Sequence, residues 1–397
     1  MNTKRPAPNS TSIVQDGRPR FVPGDGIPLP IVQSSTFAFR DTSELVAFFE
    51  GTHADESRGE YGRYGNPTVN ALEARLAALE GADEALSFAS GMAAMTTTIL
   101  ALVKAGQHVV LFRDGYRKTR DFVTKTLGRF GVGSTVVEPG NLAELAAAMR
   151  PETRLVIGEA PTNPYLRCAD LEAVARVVHE TRGAKLVVDA TLASPLGFRP
   201  LEHGADISVQ SATKYLAGHH DVLGGCVAGS RDLVSLVREL RGATGAMLDP
   251  HAAFLIARGL DTLALRMARH NATGIALAKA LECHPKVLRV HHPSLASHPD
   301  HEVATRLFAG TGGVVSFVSA DGLAGARAAC DRVKFARIGP SFGGPQTLIE
   351  PVALMSYFAE GPEGRQRLGI EEGLVRVACG LEETHDVVAD VLQALAS

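Results

Sequence analysis

One lysine stands where chemistry is expected. The stretch Ser208-Val-Gln-Ser-Ala-Thr-Lys214-Tyr-Leu-Ala-Gly-His-His-Asp-Val-Leu-Gly-Gly225 begins with a strand-like apolar run, Asp206 to Val209. That run ends in the hydroxyls Ser211 and Thr213, then Lys214, then a glycine-rich segment. Upstream, a second apolar run, Lys185-Leu-Val-Val-Asp189, ends in a carboxylate. An acid closing an apolar strand is costly unless paired, so Asp189 is a functional candidate on physical grounds alone. A lysine amine, neighbouring hydroxyls and an acid at an adjacent strand end suit a pyridoxal phosphate Schiff base. The hydroxyls would serve the phosphate and the acid would partner the pyridinium nitrogen.

The elements around these residues follow from periodicity. Residues 56 to about 250 alternate strand and helix patterns, which predicts a mainly parallel, two-faced α/β sheet. His108–Phe112 and Arg154–Gly158 read as buried strands, and Leu171 to Thr181 as a helix. Val69, Leu72, Leu76 and Leu79 recur at helical spacing after Asn66-Pro67, with Thr68 as the expected cap and Gly81 as the stop. From His251 a helical pattern opens a second domain, which holds a strand at Gly313–Val318 and a closing strand at Leu374–Gly380. Residues 1–55 are rich in Pro, Gly, Ser and Thr and read as an arm, frayed over residues 1–12.

Several positions allow two readings on residue type alone. Tyr61 and Arg63 in Glu60-Tyr-Gly-Arg-Tyr-Gly-Asn-Pro-Thr68 fit a polar loop, although a planar guanidinium also suits phosphate. Ser90-Gly91-Met92 fits a plain N-cap or an anion site at a helix start, where Gly91 lets a ligand approach the backbone. Asn163 in Pro161-Thr-Asn-Pro164 fits a turn. Arg376, a lone charge in an apolar strand, requires a partner, either an internal carboxylate or a ligand. Tyr116-Arg-Lys118-Thr-Arg120 follows a strand end, where open α/β sheets bind ligands, but Lys118 also fits a solvated helix start.

Taken together, these motifs resemble the cystathionine γ-synthase family, the Cys/Met-metabolism pyridoxal-phosphate enzymes. The likeness extends over nearly the whole chain. At Glu60–Thr68, Tyr116–Arg120, Pro161–Cys168 and Pro340–Gly344 it points to the plant-type synthases. The resemblance implies an aspartate-aminotransferase-like fold of type I, with a mainly parallel seven-stranded sheet in a large domain and a smaller α+β C-terminal domain. It implies that residues 1–55 contact a neighbouring subunit, that residues 56–250 bind pyridoxal 5′-phosphate and that residues 251–397 form the second domain. By the same resemblance Lys214 carries the cofactor and serves as base, Tyr116 stacks on the ring and Asp189 holds its nitrogen. Asn163 bonds the phenolic oxygen. Gly91, Met92, Ser211 and Thr213 take the phosphate, with Tyr61 and Arg63 reaching it in an adjacent subunit. Ser341 and Arg376 would bind substrate, Arg376 through the α-carboxylate, and Lys118 the phosphate of a leaving group. Two departures stand out: Leu192 replaces an aromatic, and Gln210 stands where His is more frequent.

The implied reaction is γ-replacement. An activated homoserine ester (O-phospho-, O-succinyl- or O-acetylhomoserine) loses its γ-group, and cysteine adds to give cystathionine. A γ-lyase, a homoserine-ester sulfhydrylase, or a specialised γ-substitution enzyme uses the same residues. A scaffold relative without catalysis is expected to have lost Lys214, Asp189 or Arg376, and all three are present.

Composition removes other classes. With a net charge of −3, the chain offers no field for nucleic acid or an anionic membrane, and no apolar run is long enough to span a bilayer. Five scattered cysteines without a CxxC pair argue against zinc or a disulfide framework and fit a cytoplasmic enzyme. His219-His220 and His291-His292 are adjacent rather than at ligand spacing, so no metal is expected. The partners expected are small amino acids and further copies of this chain in a homotetramer.

Overall fold

The computed structural model describes residues 8–18, 26–53 and 59–396. Parts of the expected N-terminal arm, residues 1–7, 19–25 and 54–55, lie outside the described residues.

A seven-stranded sheet is built from β1 (Glu84–Phe88), β2 (His108–Phe112), β3 (Gly133–Val137), β4 (Thr153–Glu159), β5 (Lys185–Asp189), β6 (Ile207–Gln210) and β7 (Gly225–Gly229). Its order is β1-β7-β6-β5-β4-β2-β3. β2 to β6 pair in parallel, while β7 runs antiparallel to both β1 and β6. The two-residue period of the strands divides the core into two layers. Val109, Leu111, Leu155, Ile157, Val187 and Val209 face helices Gly91–Leu102 and Arg231–Thr244. Val110, Val156, Leu186 and Val188 face helices Leu142–Ala148 and Leu171–Glu180. Because all strands except β7 point the same way, their C-terminal ends deliver Ser90, Asp114, Glu159, Asp189 and Lys214 to one edge.

Helix Pro67–Glu80 buries Val69, Leu72, Leu76 and Leu79 and ends at Gly81 in the left-handed region, φ 69°. Its cap is Asn66 rather than Thr68: Asn66 Oδ1 accepts from the Thr68 N–H at 2.9 Å. The Thr68 hydroxyl is used by the arm instead, donating to the Pro30 carbonyl and accepting from the Val32 N–H. Residues 8–12 are also not frayed. Asn9 and Ser12 form a reciprocal capping box at the start of a short helix, Ser10–Gln15, whose Ile13 is buried. Further along the arm, helix Thr42–Phe49 buries none of its residues and exposes Val46 and Phe49.

A second sheet, in the order β10-β11-β12-β9-β8, comprises β8 (Val287–His291), β9 (Val314–Ser319), β10 (Arg337–Ile338), β11 (Leu348–Pro351) and β12 (Leu374–Ala378). Phe317, Ile349, Val375 and Val377 pack with Leu277, Ala329 and Val391 of its covering helices. Helix Pro250–Leu260 packs on the first core, where Ala253 and Ile256 meet the cluster of Leu72 and Leu76. Among the described residues no helix is long and apolar enough to cross a membrane.

Candidate active site

Lys214 follows β6 in a run of turns, its N–H donating to the Ser211 carbonyl at 3.1 Å. Its amine reaches across to the second sheet's side of the site, 2.6 Å from Ser341 Oγ. Ser341 is held at φ 94°, a conformation an L-residue rarely keeps without support. Burial chiefly, and the Arg376 charge second, bring the Lys214 amine down to about 8, against the pull of Glu350 and Asp189.

Arg376 anchors the far wall. In β12 it lies opposite Glu350 of β11 in register, and the two form a buried ion pair at 3.0 Å. Arg376 also donates to Asn163 Oδ1 at 3.0 Å and to the Ser341 carbonyl at 3.2 Å. Ser356 donates to both oxygens of Glu350. Arg376 Nε is buried with no partner among the described residues. A carboxylate arriving there would find a fork already oriented.

Asp189 closes β5. It accepts from the Thr191 N–H at 3.0 Å and from the Thr191 hydroxyl, which in turn accepts from the Ser211 N–H at 2.8 Å. This chain of bonds ties the acid to the lysine turn. Burial raises the Asp189 carboxyl's affinity for a proton, opposed by the Thr191 donors and the Lys214 charge. No arginine or lysine among the described residues pairs with it. A pyridinium N–H is the kind of cation that would restore its charge.

The helix start beside the lysine turn is a close fit of small residues. Ser90 caps helix Gly91–Leu102 by accepting from the Ala93 N–H, so Gly91 and Met92 occupy the first two helical positions. A Cβ on Gly91 would stand 2.8 Å from that of Ser211, and one on Gly225 would stand 2.2 Å from the Ser90 carbonyl oxygen. The Thr213 hydroxyl accepts from the Gly224 N–H at 2.9 Å and so braces the glycine-rich return strand. We expect Gly91→Ala to weaken pyridoxal phosphate affinity by about tenfold or more, the usual cost of overpacking. Titration of the cofactor-free protein, followed by quenching of its tyrosine fluorescence, measures this.

The remaining candidates are placed differently. Tyr116 is 48% exposed beside the cavity lined by Asp114, Glu159 and Asp189. Arg63 donates to the Gly242 carbonyl at 2.8 Å and lies over the rings of Tyr61 and Tyr64. Tyr61 and Arg63 are therefore outside the Lys214–Ser341–Arg376–Asn163 network of their own chain. Lys118 is exposed on helix Arg117–Asp121, while its neighbour Arg117 pairs with Glu360. Sequence reasoning missed Glu350, Thr191 and Glu159. Glu350 was visible only as a charge in an apolar run, and its partner is set by strand pairing. Among the described residues no three His, Cys, Asp or Glu side chains could hold a metal ion.

An amine, an uncompensated acid and a glycine-lined helix start thus suit pyridoxal phosphate. Comparison with known proteins agrees. The family described as Cys/Met metabolism PLP-dependent enzyme matches residues 10–396. The chain is 45% identical over 377 residues to cystathionine gamma-synthase 1, chloroplastic, of Arabidopsis thaliana, covering 95% of this chain and 66% of that protein. It thus spans just under two thirds of that relative's length. It is 41% identical over 374 residues to L-methionine gamma-lyase of Pseudomonas putida, covering 94% and 93% of the two chains. The crystal structure of metB from Corynebacterium glutamicum superposes with a TM-score of 0.90 at 37% identity, covering 97% of each chain.

Proposed function

We propose, since this chain belongs to the Cys/Met metabolism pyridoxal-phosphate-dependent enzymes, that it replaces the γ-group of an activated homoserine ester with cysteine to give cystathionine. The carrying observation is the 45% identity, spread over 377 residues, to a plant cystathionine gamma-synthase.

Bound pyridoxal phosphate supplies an electron sink that makes the Cα and Cβ protons of an amino acid removable. In this reading Lys214 carries those protons, with Ser341 fixing the direction of its amine. Arg376 holds the α-carboxylate, oriented by Asn163 and Glu350. Asp189 would accept from the ring N–H, the Asn163 amide would donate to the phenolic oxygen, and Tyr116 would cover the ring face. Gly91, Met92, Ser211 and Thr213 hold the phosphate together with Tyr61 and Arg63 of a neighbouring copy. Lys118, exposed at the rim, meets the leaving group. The ester oxygen departs with its acyl or phosphoryl group, and the cysteine sulfur bonds to Cγ. The working unit is a homotetramer of two active dimers, consistent with the unburied arm helix Thr42–Phe49. Five unpaired cysteines fit a reducing compartment such as the cytoplasm.

The likeness to methionine gamma-lyase favours a second reading, in which water and protons take the place of cysteine and the product is 2-oxobutyrate with ammonia. Product mass after incubation with each of the three esters, with and without cysteine, separates the two. Cystathionine from one ester supports γ-replacement and identifies the donor. Exclusive 2-oxobutyrate that cysteine does not divert sinks it in favour of the lyase.

A further inference from the structure

Glu159 is the last residue of β4, and the parallel register sets it beside Asp189, the last residue of β5. Neighbouring strands lie about 4.8 Å apart, and paired residues project from the same face. Two carboxyl groups therefore share one edge of the sheet and line one cavity with Tyr116, Asp114 and Arg120. Glu159 is only 9% exposed. Neither carboxyl makes an ion pair among the described residues.

Glu159 also has a definite partner. Its Oε2 accepts from the Tyr116 backbone N–H at 2.6 Å. Tyr116 begins helix Arg117–Asp121 without capping it through its own side chain, so Glu159 supplies the acceptor that fixes this corner. A Cβ on Gly115 would stand 3.3 Å from the same oxygen, so the loop lies close against the acid.

We propose that Glu159 is a positioning residue that works as a neutral acid, holding Tyr116 over the site while leaving Asp189 the charge that faces the cofactor nitrogen. The surrounding groups support that division. Asp189 in β5 and Asp114 in the loop after β2 both oppose a negative charge on Glu159, and burial opposes it most. The Tyr116 N–H and the more distant Arg376 favour the charge. Arg120 and Tyr357 also face this corner, where the Lys214 charge acts on Asp189 and the Arg167 charge on Asp114, and Arg120 is occupied by the Arg113 carbonyl. Asp189 has the Thr191 donors and would gain the pyridinium as a partner when the cofactor binds, so of the two acids it is the one placed to ionise. The inference rests on the family's cofactor and holds for γ-replacement and γ-elimination alike.

Glu159→Gln and Glu159→Ala separate charge from position. Glutamine keeps an acceptor for the Tyr116 N–H and carries no charge. Its holoenzyme is expected to keep the visible-absorbance pH titration of the parent, and its cofactor-free form to bind pyridoxal phosphate within about twofold. Alanine removes the acceptor and is expected to weaken cofactor binding by about tenfold, the loss of one buried hydrogen bond. A glutamine variant that binds the cofactor tenfold more weakly, or titrates at a clearly different pH, overturns the neutral-acid role. An alanine variant with parent-like affinity overturns the positioning role. Should the alanine variant fail to fold, Glu159→Met provides the same comparison and the glutamine result still decides the charge.

Discussion

Lys214→Ala is expected to abolish turnover, lowering kcat by about 10⁴-fold or more, the scale of a lost acid–base group. The proposal gives Lys214 both the covalent link to the cofactor and the proton transfers at Cα and Cβ, so no neighbour can substitute. The site prepares it for this work. An ordinary lysine amine titrates near 10.4. Burial and the Arg376 charge bring this one to about 8. Near neutral pH the free-amine fraction is then raised by roughly two orders of magnitude. The Ser341 hydroxyl, 2.6 Å away, fixes where that amine points. Lys214→Arg should fail equally, because a guanidinium stays protonated and cannot act as base. The checks are steady-state rate and the visible absorbance of the lysine-linked cofactor, which both variants should lack. Full turnover by Lys214→Ala would show that the base lies elsewhere.

What the sequence disclosed and what it withheld divide along one line. Lys214, Asp189, Asn163 and Gly91 stand out as candidates in the sequence because each stands where a strand gives way to a turn or helix. Strand alternation in the sequence predicts that those ends share one edge of the sheet. Local chemistry also foretold the Gly81 stop. The misreadings arose where two distant segments compete for one group. Thr68 is a good capping residue, but the arm at Pro30 and Val32 takes its hydroxyl, and Asn66 caps instead. The arm's first helix reads as frayed in sequence because a six-residue helix has no periodicity to detect; its hold comes from buried Ile13 and the Arg75 guanidinium on the Ile13 carbonyl. Glu350 and Glu159 were invisible as site residues because their meaning is a register. One lies opposite Arg376 and the other beside Asp189, and no spacing within a single strand encodes which residue a neighbouring strand presents. The same limit applies to Tyr61 and Arg63, whose proposed phosphate lies in another copy of the chain.

Arg376→Met should damage both function and fold, for separable reasons. The guanidinium is proposed to clamp the substrate carboxylate, and losing a charged bidentate donor should lower kcat/KM by at least about 10²-fold, mostly through KM. It also neutralises Glu350, whose side chain is 1% exposed and 3.0 Å away. Without Arg376 that carboxylate loses its paired cation and, among the described residues, keeps the Ser356 hydroxyl as its hydrogen-bond donor. Removing one member of such a pair costs about 3–5 kcal/mol of stability. The double variant Arg376→Met with Glu350→Met removes both charges from the β11–β12 pair. Its denaturant midpoint should return near the parent's, because paired buried charges contribute little net stability over well-packed apolar residues. Its kcat/KM should stay low, since no fork faces the substrate. Denaturation and kinetics on the three proteins decide the matter. A single variant with low stability and parent-like kcat/KM would leave Arg376 a structural ion pair and transfer the carboxylate to another cation. A double variant that regained activity would do the same.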